Sequence, residues 1–520
     1  LFACQVKAKA VVKMRSSCLL VVFAFLCALQ STSGRPDLGL NGEIKGSVVA
    51  KETASFASML LNLLDDYTFV LGADYLLLNS MANALSQIAA TLADKGTIMA
   101  NSVALLIEDN SGIVTPPFED AIAGIEELLT LLTTRFPSEF LTLQYREKTY
   151  ITDMLNDDFD YLSETLSTLN GILGSLQSAA EDAQASAGGD ELPVSIDLIR
   201  KYISPRSINS LMNAIARLPT VVSPFLYSID STLANVDQAD TYILEVKSDI
   251  ESFLLQAHQE VVLFNGQLRQ LKTDTVDVIE NVDALFQEQQ TQIVEVLPVL
   301  QSASTFQDDL EDALLSFEQT VSPGSIAEKT VLIQDRVASY ISLAKTFDDD
   351  LVTLYGDRIC PVVISVVKVL VASGPYAPYC FRKYSPKVLD LAAHHYYDLT
   401  ECYQLELNRI YSLHRLIVDL VDLVSFNYGE LFDDFAVCLD AQPCPGVNCN
   451  ACVQTLGEVL GSLSRLADEK FDLILQVVPT ELDTSLQRLD SCVAFAKYKL
   501  VADAHDLVID VFQCEENGYN

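Results

Sequence analysis

The sequence predicts an all-α protein, built from long antiparallel amphipathic helices in bundles, with a C-terminal part stapled by disulfides. Three observations predict this class. Apolar residues recur at steps of three and four over long stretches, which is the period of an α-helix. Half of the 520 residues are apolar, so the chain can bury a core. Only 21 glycines and 17 prolines are available to interrupt the helices.

The first 34 residues are predicted to be a leader. Met14 is the first methionine, and a basic start, an apolar run over residues 18–29 and small residues up to Gly34 follow it, as in a secretory signal peptide. The run is too short for a membrane anchor, which needs about 20 apolar residues. We therefore expect cleavage near Gly34, untranslated message before Met14, and a secreted, extracellular protein.

Three regions are predicted after the leader. Residues 35–190 form a helical region without cysteine, with helical runs over residues 47–108 and 138–187. Residues 191–355 form a long-helix, coiled-coil-like region, and residues 356–520 form a cysteine-rich helical domain. Further helical runs are predicted over residues 326–355, 387–439 and 453–478.

The clearest helix covers residues 243–285, where apolar residues alternate at steps of three and four except for one stutter-like step around Ala257. As one continuous helix this segment would be about 60 Å long. Serine caps free backbone N–H groups and proline suits the first helical position. Helix starts are therefore predicted at the pairs Ser204-Pro205, Ser322-Pro323 and Ser385-Pro386.

Nine cysteines follow the predicted leader, and all lie in the last third of the chain: Cys360, Cys380, Cys402, Cys438, Cys444, Cys449, Cys452, Cys492 and Cys514. In an oxidising compartment such a cluster predicts a disulfide framework, whose connectivity the spacing does not fix. Because nine is odd, one thiol stays free or bridges to another chain. The spacing of Cys449 and Cys452 also matches a redox pair, and with Cys444 an iron–sulfur loop. The helical surroundings favour structural disulfides.

The chain is strongly acidic, with 33 basic and 71 acidic residues and a net charge of −38. The predicted leader carries four basic residues and no acid, so its removal would bring the net charge to −42. Phosphates repel such a surface, which argues against nucleic acid and anionic membranes as partners. No transmembrane segment is predicted after the leader, because the best candidate, residues 361–372, is short and contains Lys368.

No enzyme, catalytic residue, cofactor or metal is predicted. The chain lacks Gly-x-Ser-x-Gly and any phosphate-binding glycine loop. His394, Asp398 and Cys402 lie at helical spacing and could share a metal, but a helix surface is the favoured interpretation. Acidic runs such as Asp348-Asp349-Asp350 lack EF-hand spacing, so we interpret them as solvated helix faces.

Tyrosines are concentrated at the front of the cysteine-rich region. The members of this group are Tyr376, Tyr379, Tyr384, Tyr396, Tyr397, Tyr403, Tyr411 and Tyr428. Tyrosine suits protein interfaces as well as packing around disulfides, and packing is the favoured interpretation.

Residues 380–389 (CFRKYSPKVL), followed by Cys402-Tyr403 and a leucine-rich helix to Cys438, carry a family resemblance. Residues 356–514 resemble insect secreted proteins of the TsetseEP-domain kind, found in fly and mosquito midgut and salivary secretions. The chain lacks the Glu-Pro repeat tail of the member that named this domain. The resemblance implies a helical, disulfide-linked extracellular module without known catalysis, and it brings no site residues.

Together these observations predict a secreted, non-enzymatic acidic helical protein. We expect an extracellular interaction protein with a basic partner, and the resemblance places it in an insect gut or salivary secretion. One alternative is a carrier of a lipid or small apolar ligand inside a helical bundle. Another is a disulfide-cross-linked extracellular structural component, which would be a disulfide-linked or coiled-coil homo-oligomer.

Overall fold

The computed structural model describes residues 38–66, 70–144, 148–440 and 446–518. Within these ranges the chain consists of packed helices and contains no β-strand, which confirms the predicted all-α class. The predicted leader lies outside the described residues. The chain divides into two compact units, of which unit 1 ends at Asp237 and unit 2 begins at Gln238.

Unit 1 is a bundle of short and medium helices in which neighbours along the chain pack together. It contains α1 (Ser47–Asn62), a 3₁₀ turn (Leu63–Asp66), α2 (Leu76–Glu108), α3 (Thr115–Thr134), α4 (Pro137–Leu143), α5 (Tyr150–Ala187), α6 (Ile196–Tyr202) and the first part of α7 (Pro205–Leu300). Phe159 of α5 lies at an aromatic centre, with ring centroids 5.9 Å from Phe136, 5.8 Å from Phe140 and 5.5 Å from Phe225. These rings tie α4 and α7 to α5.

Unit 2 contains the rest of α7 and the longest helices of the chain. After α7 come, in chain order, a π-helical turn (Phe306–Leu310), α8 (Glu311–Val321), α9 (Pro323–Ala344), α10 (Leu351–Val371), α11 (Ala377–Asp440) and α12 (Val447–Asn517). α7 runs in one direction, α8 to α10 return, α11 descends again and α12 returns. Unit 2 is therefore an up-down-up-down bundle of four legs.

Ring contacts fix the alignment of these legs. Phe317 of α8 contacts Phe286 of α7 and Tyr428 of α11, at centroid distances of 5.2 and 5.1 Å. Toward the other end, Tyr355 of α10 contacts His395 of α11 at 5.4 Å. One hydrophobic cluster of buried residues, drawn from α7 to α12, runs along the bundle, and α10 contributes its first residue, Leu351.

The spacing of buried residues explains why α12 remains in contact with the core over its whole length. From Cys449 to Cys514, leaving aside Gly457 next to Leu456, the buried positions advance by three or four residues, and the average step is about 3.6 residues, one helical turn. A strict seven-residue repeat would instead average 3.5 and impose a left-handed supercoil. An average of 3.6 needs no supercoil, and α12, which contains Pro479, has a contour of about 107 Å for its 71 residues.

Two of the three predicted Ser-Pro helix starts are confirmed, because α7 begins at Pro205 and α9 begins at Pro323. The third is wrong, since Pro386 lies inside α11. An internal proline costs about 3 kcal/mol. Contacts around it offset this cost: the Tyr242 hydroxyl donates to the Ser385 carbonyl at 3.3 Å, and the Tyr242 ring packs on Phe381 at 5.2 Å.

The predicted helix over residues 243–285 is confirmed as part of α7, whereas three predicted runs are interrupted. The run 47–108 is divided between α1 and α2, the run 138–187 between α4 and α5, and the run 326–355 between α9 and α10, with the last break at residues 345–350. The last break contains Asp348, Asp349 and Asp350, whose adjacent like charges and short side chains disfavour a helix interior. The predicted boundary at residues 355 and 356 lies within α10, and that at 190 and 191 lies in the turn after α5.

One helix among the described residues, α2, has the length and composition to cross a membrane. Half of its most apolar window is buried inside the protein, where it packs against α1 and α3. Residues 361–372, the most apolar candidate in the sequence after the leader, belong mainly to α10 and are largely buried. Both helices are core elements of their units.

Candidate interaction surface

Two disulfides join α11 to α12. Cys380 bonds to Cys514 and Cys402 bonds to Cys492, with Cα–Cα distances of 5.9 and 5.8 Å. Cys449 and Cys452 of α12 each take part in a disulfide as well. Cys360 of α10 is free and exposed. The C-terminal part is therefore stapled as predicted, and the pairs follow from an antiparallel register that the cysteine spacing alone does not give.

The three residues that could have shared a metal do not form a common site. Cys402 is disulfide-bonded, and the Asp398 carboxylate pairs with the Lys499 ammonium at 2.9 Å. His394 is exposed. Across the part of the chain that the structure describes, no group of three or more His, Cys, Asp or Glu side chains is arranged to hold a metal ion.

A buried polar layer lies one helical turn from the Cys402–Cys492 disulfide. The Glu406 side chain is 3% exposed, and it accepts from the Ser485 hydroxyl at 2.8 Å and the Arg488 guanidinium at 3.2 Å. Arg409 also bonds to Glu406, and the Tyr340 hydroxyl lies 3.1 Å from that of Ser485. The layer thus connects α9, α11 and α12.

This layer was not predicted, although the sequence of α11 contains a signal for it. Glu406 falls at the same helical spacing as the buried residues Cys402, Tyr403 and Ile410 of α11. A charged residue on an apolar stripe needs a partner when it is buried. A buried polar contact of this kind fixes helix register rather than forming an open site.

A second buried polar contact joins α10 to α11. The Tyr355 hydroxyl lies 2.9 Å from His395 Nδ1, and His395 is 2% exposed. Its other ring nitrogen, Nε2, has no hydrogen-bond partner. Burial lowers the pKa of His395 to about 4, with Lys497 acting in the same direction and Asp398 and Asp350 opposing it. The imidazole is therefore neutral at physiological pH.

The tyrosine cluster divides between the core and the surface. Tyr384, Tyr403 and Tyr428 are buried, and burial raises the pKa of the Tyr403 and Tyr428 hydroxyls. Tyr397 and Tyr411 are 65% and 42% exposed. Packing is therefore the role of the buried members.

The acidic runs are partly used in ion pairs. Asp348 lies 2.9 Å from His258, and Asp350 pairs with Lys497, so this run clamps α7 and α12 near the start of α10. In unit 1, Asp158 is buried and accepts from the Ser228 hydroxyl at 2.7 Å. Burial raises the pKa of Asp158. These carboxylates support packing, whereas most of the others face solvent.

Two open surface cavities lie on the described part of the chain. One, of about 390 Å³, is lined by Leu105, Glu108, Asp109 and Asp120 among others, at the end of α2. The other, of about 640 Å³, lies along α11 beside His414 and Arg415. Both are shallow depressions on helices and neither encloses an apolar ligand.

The outer faces of unit 2 carry many large apolar side chains that stay in contact with solvent. Apart from Val447 at the start of α12, the most exposed on α11 and α12 are the aromatic residues Tyr397, Phe426, Phe495 and Tyr498, at 64–69%. Leucines at 39–51% exposure accompany them, interleaved with carboxylates. Exposed apolar side chains in groups mark interaction sites. No protein-family model, curated protein or solved structure matches the chain.

Proposed function

We propose that the chain is a secreted, non-enzymatic protein that binds a basic partner through the outer faces of its helical bundle. The observation that carries this proposal is a disulfide-stapled bundle whose outside presents large apolar side chains among carboxylates. Apolar side chains supply contact area. A net charge of −38 favours encounter with cationic partners and disfavours anionic ones.

Two features support the extracellular part of the proposal. The intramolecular disulfides fit an oxidising environment, where such bonds persist. The resemblance of residues 356–514 to insect TsetseEP-domain proteins, which is a prediction, agrees with secretion into a gut or salivary fluid. The partner class then follows from charge.

The test is a binding measurement on the whole secreted chain at 150 mM salt. We would titrate it with a Lys/Leu amphipathic helical peptide, a Glu/Leu peptide of the same pattern, and a Lys-rich peptide without apolar residues. The expected order of affinity is Lys/Leu first, Lys-rich second, and no binding of Glu/Leu. Equal binding of the three peptides, or binding of none, would overturn the proposal.

A second candidate function rests on Cys360. Because this cysteine is free and exposed on α10, it can bond to a second chain in an oxidising compartment, as a cross-linked structural component requires. Native mass spectrometry with and without reductant tests this candidate. A reducible dimer that Cys360→Ser abolishes supports cross-linking, and a monomer of the wild-type chain sinks it.

A further inference from the structure

We propose that the groove between α11 and α12 is the docking site for a basic amphipathic helix of the partner. This inference rests on the proposed function and assigns it to one surface. We define the α11–α12 groove by Leu416 and Leu423 on α11 and Leu466 and Leu473 on α12. Their exposed fractions are 45%, 51%, 39% and 45%.

The two helices bring these leucines into one short stretch of the bundle. Within each pair the leucines are seven residues apart, about two turns, so they share one side of their helix. Continued along antiparallel helices, the Cys402–Cys492 disulfide sets Leu416 opposite residue 478 and Leu423 opposite residue 471. The four leucines then occupy about 18 Å along the groove, the length of roughly 12 helical residues.

The leucines also share the solvent-facing edge of this interface. The Asp398–Lys499 ion pair, whose side chains are 31% and 45% exposed, marks that edge. Leu416 lies 18 residues, or five turns, beyond Asp398, so it projects from the same edge of α11. On α12, Glu481 lies five turns before Lys499, and Leu473, eight residues before Glu481, lies about 80° further round the helix toward solvent.

The floor of the groove is apolar as well. Leu420 of α11 and Leu463 and Val477 of α12 are only partly buried, and they pack against the continuous core of unit 2. By helix periodicity they fall between the leucine pairs and the core. A contiguous strip of partly exposed apolar side chains therefore runs along two helices, the geometry into which a third helix packs.

Charge selects the occupant. Within the segments 416–423 and 466–473 the chain has one cation, Lys470, and five carboxylates: Asp419, Asp422, Asp468, Glu469 and Asp472. Asp468 pairs with Lys329 and Glu469 pairs with Arg465, which leaves three of the five. Of these, Asp419 and Asp422 lie next to the groove leucines of α11. A helix with leucine-like residues at i, i+4 and i+7 and flanking Lys or Arg satisfies both strip and charge. A second copy of this chain would bring another −38 and be repelled.

The experiment uses the whole chain and the Lys/Leu peptide, with affinity measured by fluorescence anisotropy. The variant Leu423→Ser/Leu473→Ser removes two exposed groove side chains without touching the core. We expect about tenfold weaker binding, equivalent to about 1.4 kcal/mol. The matched control is Leu255→Ser/Leu263→Ser on α7, where both leucines are 58% exposed. This control should bind as the wild type does.

A second variant tests the charge. Asp419→Asn/Asp422→Asn should weaken binding of the Lys/Leu peptide at 50 mM salt and reduce its salt dependence. If the groove and control variants bind like the wild type, the groove assignment fails while the proposed function stands. If no basic peptide binds the wild type, both fail. Leucine-dependent self-association in sedimentation would overturn the assignment in favour of a second copy.

Discussion

At the scale of single residues, Gly457 shows how closely the legs of unit 2 approach each other. A Cβ added at this position would overlap the backbone carbonyl of Asp309, in the π-helical turn before α8. Backbone cannot move aside as the end of a flexible side chain can. Glycine is therefore required here by space, since the surrounding helix is otherwise regular.

We expect Gly457→Ala to lower the free energy of unfolding by about 1–3 kcal/mol, the usual cost of overpacking. The matched control is Gly461→Ala, one turn further along α12, where an added Cβ meets nothing within 4 Å. Its alanine should raise stability by roughly 0.5–1 kcal/mol through helix propensity. Urea unfolding of both variants decides, and equal effects would contradict the close approach.

His395 gives the second residue-scale prediction, a loss of stability in acid. Its pKa is about 4 in the folded chain and 6.5 when unperturbed, so folding favours the neutral ring. The free energy of unfolding includes a contribution from keeping the His395 ring neutral. This contribution is fully present above about pH 6.5 and is lost as the pH falls toward 4. The full effect is roughly 3 kcal/mol at 1.36 kcal/mol per pKa unit.

The variant His395→Gln can still bond to Tyr355 but takes up no proton. Between pH 7 and pH 4.5, wild type should lose more stability than this variant, as measured by urea unfolding at each pH. Exposed His394 provides the control, because His394→Gln should follow the wild-type pH dependence. Parallel curves for wild type and His395→Gln would refute the role of His395.

Sequence reasoning reached these residues unevenly. The cysteines were found because their type alone signals disulfides, whereas Gly457 and His395 carry no local signal. Their roles depend on Asp309 and Tyr355, residues 148 and 40 positions away in the chain. Contacts between distant segments decide such sites, and helical periodicity contains no information about which residue lies opposite which.

At the scale of helices, the polar layer around Glu406 sets the register of α9, α11 and α12. Glu406→Leu would leave Arg488 with Glu481 as its remaining carboxylate partner, and would remove the carboxylate that accepts from Ser485. We expect a loss of about 2 kcal/mol, below the 3–5 kcal/mol typical of breaking a fully buried pair, because the Arg488 side chain is 31% exposed. Chemical denaturation measures this loss.

The double variant Glu406→Leu/Arg488→Leu should recover part of that stability, since it also removes the guanidinium that Glu406 accepted from, while Glu481 is 37% exposed to solvent. A double-mutant cycle that shows no coupling would contradict the shared layer.

Long helices such as α7 and α11 were predictable from periodicity, because many apolar steps agree. Helix breaks were predicted less well. The helix continues through Pro386, where Tyr242 contacts the neighbouring residues. The break at residues 345–350 contains no glycine or proline that would signal it.

At the scale of the whole molecule, the net charge of −38 governs the response to salt. Carboxylates spread over the helix faces repel one another, and the Debye length falls from about 30 Å at 0.01 M to 8 Å at 0.15 M salt. We expect Tm to rise by a few degrees when sodium chloride increases over this range. Differential scanning calorimetry measures it, and an unchanged Tm would contradict the expected destabilisation by repulsion among the carboxylates.

The two disulfides between α11 and α12 also determine what a protease can do to this chain. Cutting any peptide bond between Cys402 and Cys492 opens the polypeptide but leaves the two pieces covalently attached, through both Cys402–Cys492 and Cys380–Cys514. A nicked molecule would therefore keep its mass on a non-reducing gel and separate into fragments only after reduction. A single cut at the α11–α12 connection would leave both walls of the groove tethered together.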